Sequence, residues 1–184
     1  MSPKPPNLGS MKLIDGLYQY DLRMLLWCTH SRHRQKTAKL ARAASITGDG
    51  YVQLLLPTAL LFADQQHGEE FFITVAIAFA IQMPVYWLLK NSLKRRRPPQ
   101  VIPSFQSIIT AADQFSFPSG HSSAAFLLAH IALFFYGIVA LPLYLWACCV
   151  ALSRVVLGVH FPTDIVAGIA LGSATAFYVL GFIV

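Results

Sequence analysis

Ser153-Arg154-Val155-Val156-Leu157-Gly158-Val159-His160-Phe161-Pro162-Thr163-Asp164 joins two long apolar runs, yet it carries an arginine, a histidine and a carboxylate. The runs on either side, residues 142–157 and 162–184, each approach the roughly 20 residues that a helix needs to cross a bilayer. Gly158 suits a turn between them, and Pro162 suits the first position of the second helix. A polar bridge between two membrane helices is costly unless its groups find partners.

The rest of the chain has the same character. Of 184 residues 55% are hydrophobic and 12% charged, with mean hydropathy +0.54, whereas a soluble domain carries roughly 25% charged residues. Three further apolar runs, residues 43–63, 71–89 and 119–136, bring the reading to about five transmembrane helices. Residues 12–30 have apolar positions at helical spacing but include Asp15, Asp21 and Arg23, which fits an amphipathic helix lying in the interface. The predicted fold class is therefore all-α, an integral membrane helical bundle with an N-terminal interfacial helix. Residues 1–42 form a disordered tail and an amphipathic basic segment, and residues 43–184 form the transmembrane domain. Residues 137–141 read as a tight turn. Gly168 and Gly172, four apart, present a small-residue face suited to close helix packing.

The net charge is +6, and thirteen of the 14 Lys and Arg residues precede Pro98. They flank apolar runs and lack interleaved aromatic platforms, which argues against a nucleic-acid partner and for membrane lipids or an anionic substrate. The three cysteines show no metal-ligand or redox spacing. One acidic residue, Asp49 in Gly48-Asp49-Gly50, interrupts the first apolar run. It is either a functional group or a surface turn residue.

Alternation of the spans puts Lys90, His121, Arg154 and His160 at helix ends on one side of the membrane. If the helix of residues 71–89 continues, Lys90, Lys94 and Arg97 share a face while Arg95 and Arg96 point elsewhere. A lysine point charge and a forked guanidinium suit a phosphate. Pro118-Ser119-Gly120-His121 opens the next span. Ser119 can cap the helix, the amides behind it point outward unsatisfied, and Gly120 lets backbone approach a ligand. His121 is a candidate proton donor. Asp164 can cap the last helix, or fold back on His160 to fix its tautomer and raise its basicity.

Lys90-x6-Arg97-Pro98, Pro118-Ser119-Gly120-His121 and Ser153-Arg154-x5-His160-x3-Asp164 together resemble the three-part signature of the type 2 phosphatidic acid phosphatase superfamily. The resemblance implies hydrolysis of a lipid phosphomonoester or pyrophosphate through a phosphohistidine, with neither metal nor other cofactor. Carried over, His160 is the nucleophile, Asp164 its orienting group and His121 the acid for the leaving oxygen. Lys90, Arg97, Ser119, Gly120 and Arg154 hold the phosphoryl group. The implied substrates are undecaprenyl pyrophosphate, phosphatidylglycerophosphate, phosphatidate or a lipid A phosphate. A phosphotransferase using the same intermediate is the nearest alternative, and a non-catalytic lipid-binding scaffold is the alternative of another class. The family places its site on the periplasmic side of a bacterial inner membrane and usually has six spans. Here the basic cluster of residues 32–42 lies on the site face, which by the positive-inside rule points to the cytoplasm.

Overall fold

The structure is a computed structural model that describes residues 8–29, 34–103 and 105–183. All its regular elements there are helical: α1 (Leu8–Thr29), α2 (Arg34–Thr47), α3 (Tyr51–Ala63), α4 (Gly68–Leu93), α5 (Pro98–Val101), α6 (Gly120–Tyr136), α7 (Leu141–Val156) and α8 (Pro162–Ile183). A 3-10 turn, Gly137–Ala140, joins α6 to α7 where the sequence predicts a tight turn. The protein is an integral membrane helical bundle. Gly68–Val101, Gly120–Val156 and Pro162–Phe182 are long and apolar enough to cross a membrane. The pair Gln35–Thr47 and Tyr51–Ala63 qualifies as a further span only when taken together, bent by 47°.

α6 is the central helix. Ala125, Leu127, Leu128, Ala129 and Ile131 are fully buried, and α4, α7 and α8 all pack on it. One apolar cluster joins α6 to Ala147 and Val150 of α7 and Leu25 of α1; a second joins it to Phe71 and Val75 of α4 and Val179 of α8. In hydrocarbon, lipid tails are as apolar as leucine, so helix association rests on close packing instead. The α6–α8 seam shows how. A Cβ on Gly168 would collide with the Ser119 carbonyl oxygen, and one on Gly172 with that of Ser123. Outward, Leu88, Leu145, Leu152, Val166, Phe177 and Phe182 are exposed, as expected for helices solvated by lipid.

Two local expectations are corrected, at residues 43–63 and at the end of α4. The run of residues 43–63 is two helices, because Gly48-Asp49-Gly50 breaks it and Gly50 takes φ 110°. From Arg34 onward the basic run belongs to α2, which packs along α7; residues 30–33 lie outside the described residues. Of the tail, residues 1–7 also lie outside them, and Leu8 already opens α1. Finally, α4 stops at Leu93. Lys94 adopts the left-handed conformation, φ 46°, so no helical register connects Lys90 to Arg97.

Candidate active site

The polar cluster is assembled from six chain segments, beginning with the end of α4. Tyr86 and Lys90 are one turn apart, and the Lys90 ammonium donates to the Tyr86 hydroxyl at 2.5 Å. Lys90 is 1% exposed. Beyond Lys94 the chain reaches Arg97, which precedes α5 and whose backbone N–H donates to Gln100 Oε1 at 2.9 Å. The Arg97 guanidinium donates from Nη1 to the Val159 carbonyl at 2.6 Å, from Nε to the Asp113 carbonyl at 3.1 Å, and from Nη2 to Asp113 Oδ1. Asp113 completes this corner. Its Oδ2 is 2.5 Å from Lys90 Nζ and accepts from the Tyr86 hydroxyl at 3.0 Å. Burial pushes the Asp113 carboxyl upward, but hydrogen bonds and charge from Lys90 and Arg97 outweigh it and hold the group below its ordinary range.

Arg95 enters the site, contrary to the expected helical register. It donates to Asp164 Oδ1 at 2.7 Å, to Thr163 Oγ1 at 2.6 Å and to Asp21 Oδ2 at 2.6 Å, and its guanidinium lies 4.4 Å from the Phe161 ring centre. Lys94 and Arg96 are exposed. Asp21, buried on α1, also accepts from the Thr163 N–H at 3.0 Å and the Thr163 hydroxyl at 2.5 Å. The N-terminal helix is thereby fastened to the turn that carries His160.

The turn itself closes on backbone bonds. The Arg154 carbonyl accepts from the N–H groups of Val159 (3.1 Å) and His160 (3.3 Å). Gly158 sits at φ 77°, and a Cβ there would lie 2.8 Å from the Phe105 ring; both conditions favour glycine. His160 is 2% exposed. Its Nδ1 faces Asp164 Oδ2 at 3.6 Å, and its Nε2 lies 3.5 Å from Arg97 Nη1. Of the two roles expected of it, Asp164 makes the cap: Oδ2 accepts the Phe161 N–H at 2.8 Å at the start of α8. The imidazole lies at ion-pair distance, with His160 Nδ1 buried and without a hydrogen-bond partner among the described residues. Asp164 raises the basicity of His160, as expected, but burial outweighs it. Burial pushes His160 down to about 4, and Arg97 and Arg154 add to the fall.

At the start of α6, Ser119 caps the helix by accepting the Ser122 N–H at 3.4 Å. Its own N–H donates to the Asp164 carbonyl at 3.0 Å, tying this helix start to α8. Gly120 is crowded by Tyr86: a Cβ there would lie 3.1 Å from the phenol ring. His121 Nε2 is 2.6 Å from Asp49 Oδ1, so the α2–α3 break contributes a carboxylate to the site. Arg154 donates to the Ser45 hydroxyl. Its Nε is buried with no hydrogen-bond partner, and among the described residues Arg154 has no carboxylate in ion-pair contact. Gly120, His121, Arg154, Tyr86 and Asp49 face one cavity of about 700 Å³ between α2, α3, α4 and α6. Lys90, Arg97 and His160 do not line it; Lys90 and Arg97 pair with Asp113, and His160 lies beside Arg97.

The site residues expected from sequence therefore fall into two linked groups. Lys90, Arg97, His160 and Asp164 form one, and Gly120, His121 and Arg154 form the other, with Ser119 bridging them. Sequence reading passed over Tyr86, Arg95, Asp113, Asp21, Thr163 and Ser45. Two of these carried a visible signal: Arg95, the first of three arginines before Pro98, and Asp21, a charge among the apolar positions of α1.

Clustered cations, a histidine–aspartate pair and a serine-capped helix start at the end of a lipid-facing bundle suit an integral membrane phosphatase, and relatives agree. The PAP2 superfamily matches residues 71–183, more than half of the chain, and the chain belongs to it. It is 30% identical over 138 residues to decaprenylphosphoryl-5-phosphoribose phosphatase of Mycobacterium tuberculosis, covering 72% of this chain and 73% of that one. Among solved structures it resembles LpxE of Aquifex aeolicus, with a TM-score of 0.75, 23% identity and coverage of 88% and 94%. It also resembles the PAP2-type phosphatidylglycerolphosphate phosphatase of Bacillus subtilis, with a TM-score of 0.59, 25% identity and coverage of 91% and 94%.

Proposed function

We propose that this protein hydrolyses the phosphomonoester or pyrophosphate of a membrane lipid through a phosphohistidine on His160. The observation that carries the proposal is Arg154: a buried guanidinium with an unpartnered Nε, facing the cavity beside Gly120 and His121. A buried cation with no carboxylate in contact is costly, and an incoming phosphoryl group supplies that contact. Arg154, Lys90 and Arg97, with the Ser119 hydroxyl and the Gly120 amide, hold the phosphoryl oxygens and stabilise the charge that grows on them.

His160 Nε2 attacks phosphorus while Asp164, on the Nδ1 side, fixes the tautomer. As the lipid–oxygen bond to phosphorus breaks, His121 gives a proton to the leaving oxygen. In the second half-reaction His121 takes a proton from water, which attacks the phosphohistidine and frees phosphate. Neutrality of the buried His160 ring keeps its lone pair available at physiological pH. Fixed cations carry the electrostatic work in this scheme, so the reaction runs without metal. Isoprenoid pyrophosphates, phosphatidylglycerophosphate, phosphatidate and lipid A phosphates share the required chemistry: a charged head at the membrane surface and tails in hydrocarbon.

A phosphate-release panel over those lipids, with vanadate and chelator arms, tests the proposal. Wild type should release phosphate from at least one lipid, vanadate should inhibit and chelator should not. His160→Ala should lose at least about 10³-fold, since removal of a nucleophile forfeits most of the covalent route. Undiminished activity in His160→Ala would overturn the covalent mechanism. By resemblance to the family, and against the charge bias of residues 32–42, we place the site on the periplasmic face of an inner membrane. An impermeant maleimide should then leave Gln65→Cys, on the opposite loop, unlabelled in intact cells of a strain lacking the native cysteines.

A further inference from the structure

We infer that Asp49 is the positioning residue of the proton donor, forming with His121 a second histidine–aspartate pair that serves the leaving group. This rests on the reading of His121 as general acid given above. Nε2 of His121 is 2.6 Å from Asp49 Oδ1. Among the described residues the other ring nitrogen, Nδ1, has no hydrogen-bond partner, so it is the nitrogen available to the leaving oxygen.

The backbone around Asp49 is built for this contact. Gly48 lies so close to α7 and to the imidazole that a Cβ there would sit 2.6 Å from Val150 Cγ1 and 3.2 Å from His121 Cδ2. Gly50 takes φ 110°, a conformation that glycine adopts at little cost. The break between α2 and α3 is pinned from three sides. Trp146 Nε1 donates to the Thr47 hydroxyl at 2.9 Å, Gln53 Nε2 donates to the Gly48 carbonyl at 3.4 Å, and Arg154 donates to Ser45. A surface turn needs none of these fasteners. The Asp49 side chain is 47% exposed and that of His121 24% exposed, so the pair stands between the buried phosphoryl pocket and water.

The chemistry balances without any outside reagent. In the first half-reaction the imidazolium donates Nε2–H to Asp49 and Nδ1–H to the leaving oxygen. The phosphorus–oxygen bond to the lipid breaks, a phosphorus–nitrogen bond to His160 forms, and the Nδ1 proton passes to the lipid alcohol or phosphate. His121 is left neutral with its remaining proton on Nε2, held by Asp49. In the second half-reaction Nδ1 accepts the proton of the attacking water as the phosphorus–nitrogen bond breaks. Asp49 thus selects the tautomer and stabilises the cationic ring, as a carboxylate does behind a catalytic histidine.

The test exploits leaving-group chemistry. An alkyl lipid phosphate leaves as a poor alkoxide and needs the proton, whereas an aryl phosphate such as p-nitrophenyl phosphate leaves unaided. Asp49→Asn should lower kcat for a lipid phosphate monoester by about 10- to 100-fold, a fraction of the 10²–10⁴ that general acids supply. KM should stay within about twofold. For p-nitrophenyl phosphate the loss should shrink to about threefold or less. Asp49→Glu should restore part of the lipid activity. In a His121→Ala background, Asp49→Asn should add almost nothing, since the two act as one unit.

Equal losses on both substrates, additivity with His121→Ala, or undiminished lipid hydrolysis in Asp49→Asn would each overturn the assignment. Wild type and His160→Ala run in parallel keep the outcomes separate. Wild type inactive on every lipid refutes the proposed reaction itself; wild type active with Asp49→Asn unaffected refutes only the role of Asp49.

Discussion

Replacing Asp21 by asparagine should loosen the protein although Asp21 lies far in sequence from every motif residue. The carboxylate is 1% exposed and accepts three hydrogen bonds, from Arg95, the Thr163 N–H and the Thr163 hydroxyl. Asparagine keeps the shape but loses the charge, and its amide must face one donor with another. A hydrogen bond to a charged group contributes about 1.5–3 kcal/mol, and removing one partner of a buried pair costs about 3–5 kcal/mol. Arg95 keeps Asp164 and Thr163, so it is not orphaned, and a cost of about 2–3 kcal/mol is expected. For a chain of this length that is a fall in Tm of about 4–12 °C. Turnover should fall with it, because Arg95 then draws harder on Asp164, the group that faces His160. The assay is a thermal scan of detergent-solubilised protein paired with phosphate release. Asp21→Asn melting within about 1 °C of wild type, at full turnover, would refute the idea that α1 is fastened to the turn through this carboxylate.

Other predictions rest on single residues. His160 is displaced downward, to about 4, by burial, so its ring should stay neutral to about pH 5. The stabilisation from its burial is complete above the ordinary value near 6.5 and is lost as pH falls towards 4. A titration of ring-labelled histidine by NMR reads this directly, and a midpoint above 6 would contradict it. Asp113 occupies the same two cations that a phosphate needs. Asp113→Asn should therefore tighten vanadate inhibition about tenfold, with unchanged or weaker inhibition as the contrary result. Gly158→Ala meets both a positive φ and the Phe105 ring. It should cost about 1–3 kcal/mol and reduce kcat more than KM, which steady-state kinetics with a melting curve would show.

The bundle and the motif residues were legible because each depends on residue type at short range. Long uncharged runs demand membrane helices, and a cation cluster near an exposed helix start demands an anion. Arg95 was misread for a definable reason. The prediction carried α4 through to Arg97, but Lys94 turns left-handed, φ 46°, a conformation that lysine seldom adopts and that no periodicity announces. One such residue exchanges the roles of neighbouring arginines. The roles of Asp113 and Asp21 were invisible for another reason: their partners lie 16 to 142 residues away, and only tertiary packing brings them together. Asp49 stood between these cases. An acidic residue interrupting an apolar run is visible, but its partner is not.

The contact of Gly168 with the Ser119 carbonyl, joined by the hydrogen bond from Ser119 N–H to the Asp164 carbonyl, has a mechanical meaning. The start of α6 and the start of α8 cannot slide past each other, so the amides at the start of α6 and the carboxylate beside His160 keep a fixed spacing. Motion that admits a lipid headgroup must then come from parts that rest on this frame rather than belong to it. The bent α2–α3 pair, which lines the cavity with Ser45, Asp49 and Gln53, is such a part. Because it also carries the carboxylate facing His121, its closing would arm the proton donor in the same stroke that encloses the substrate.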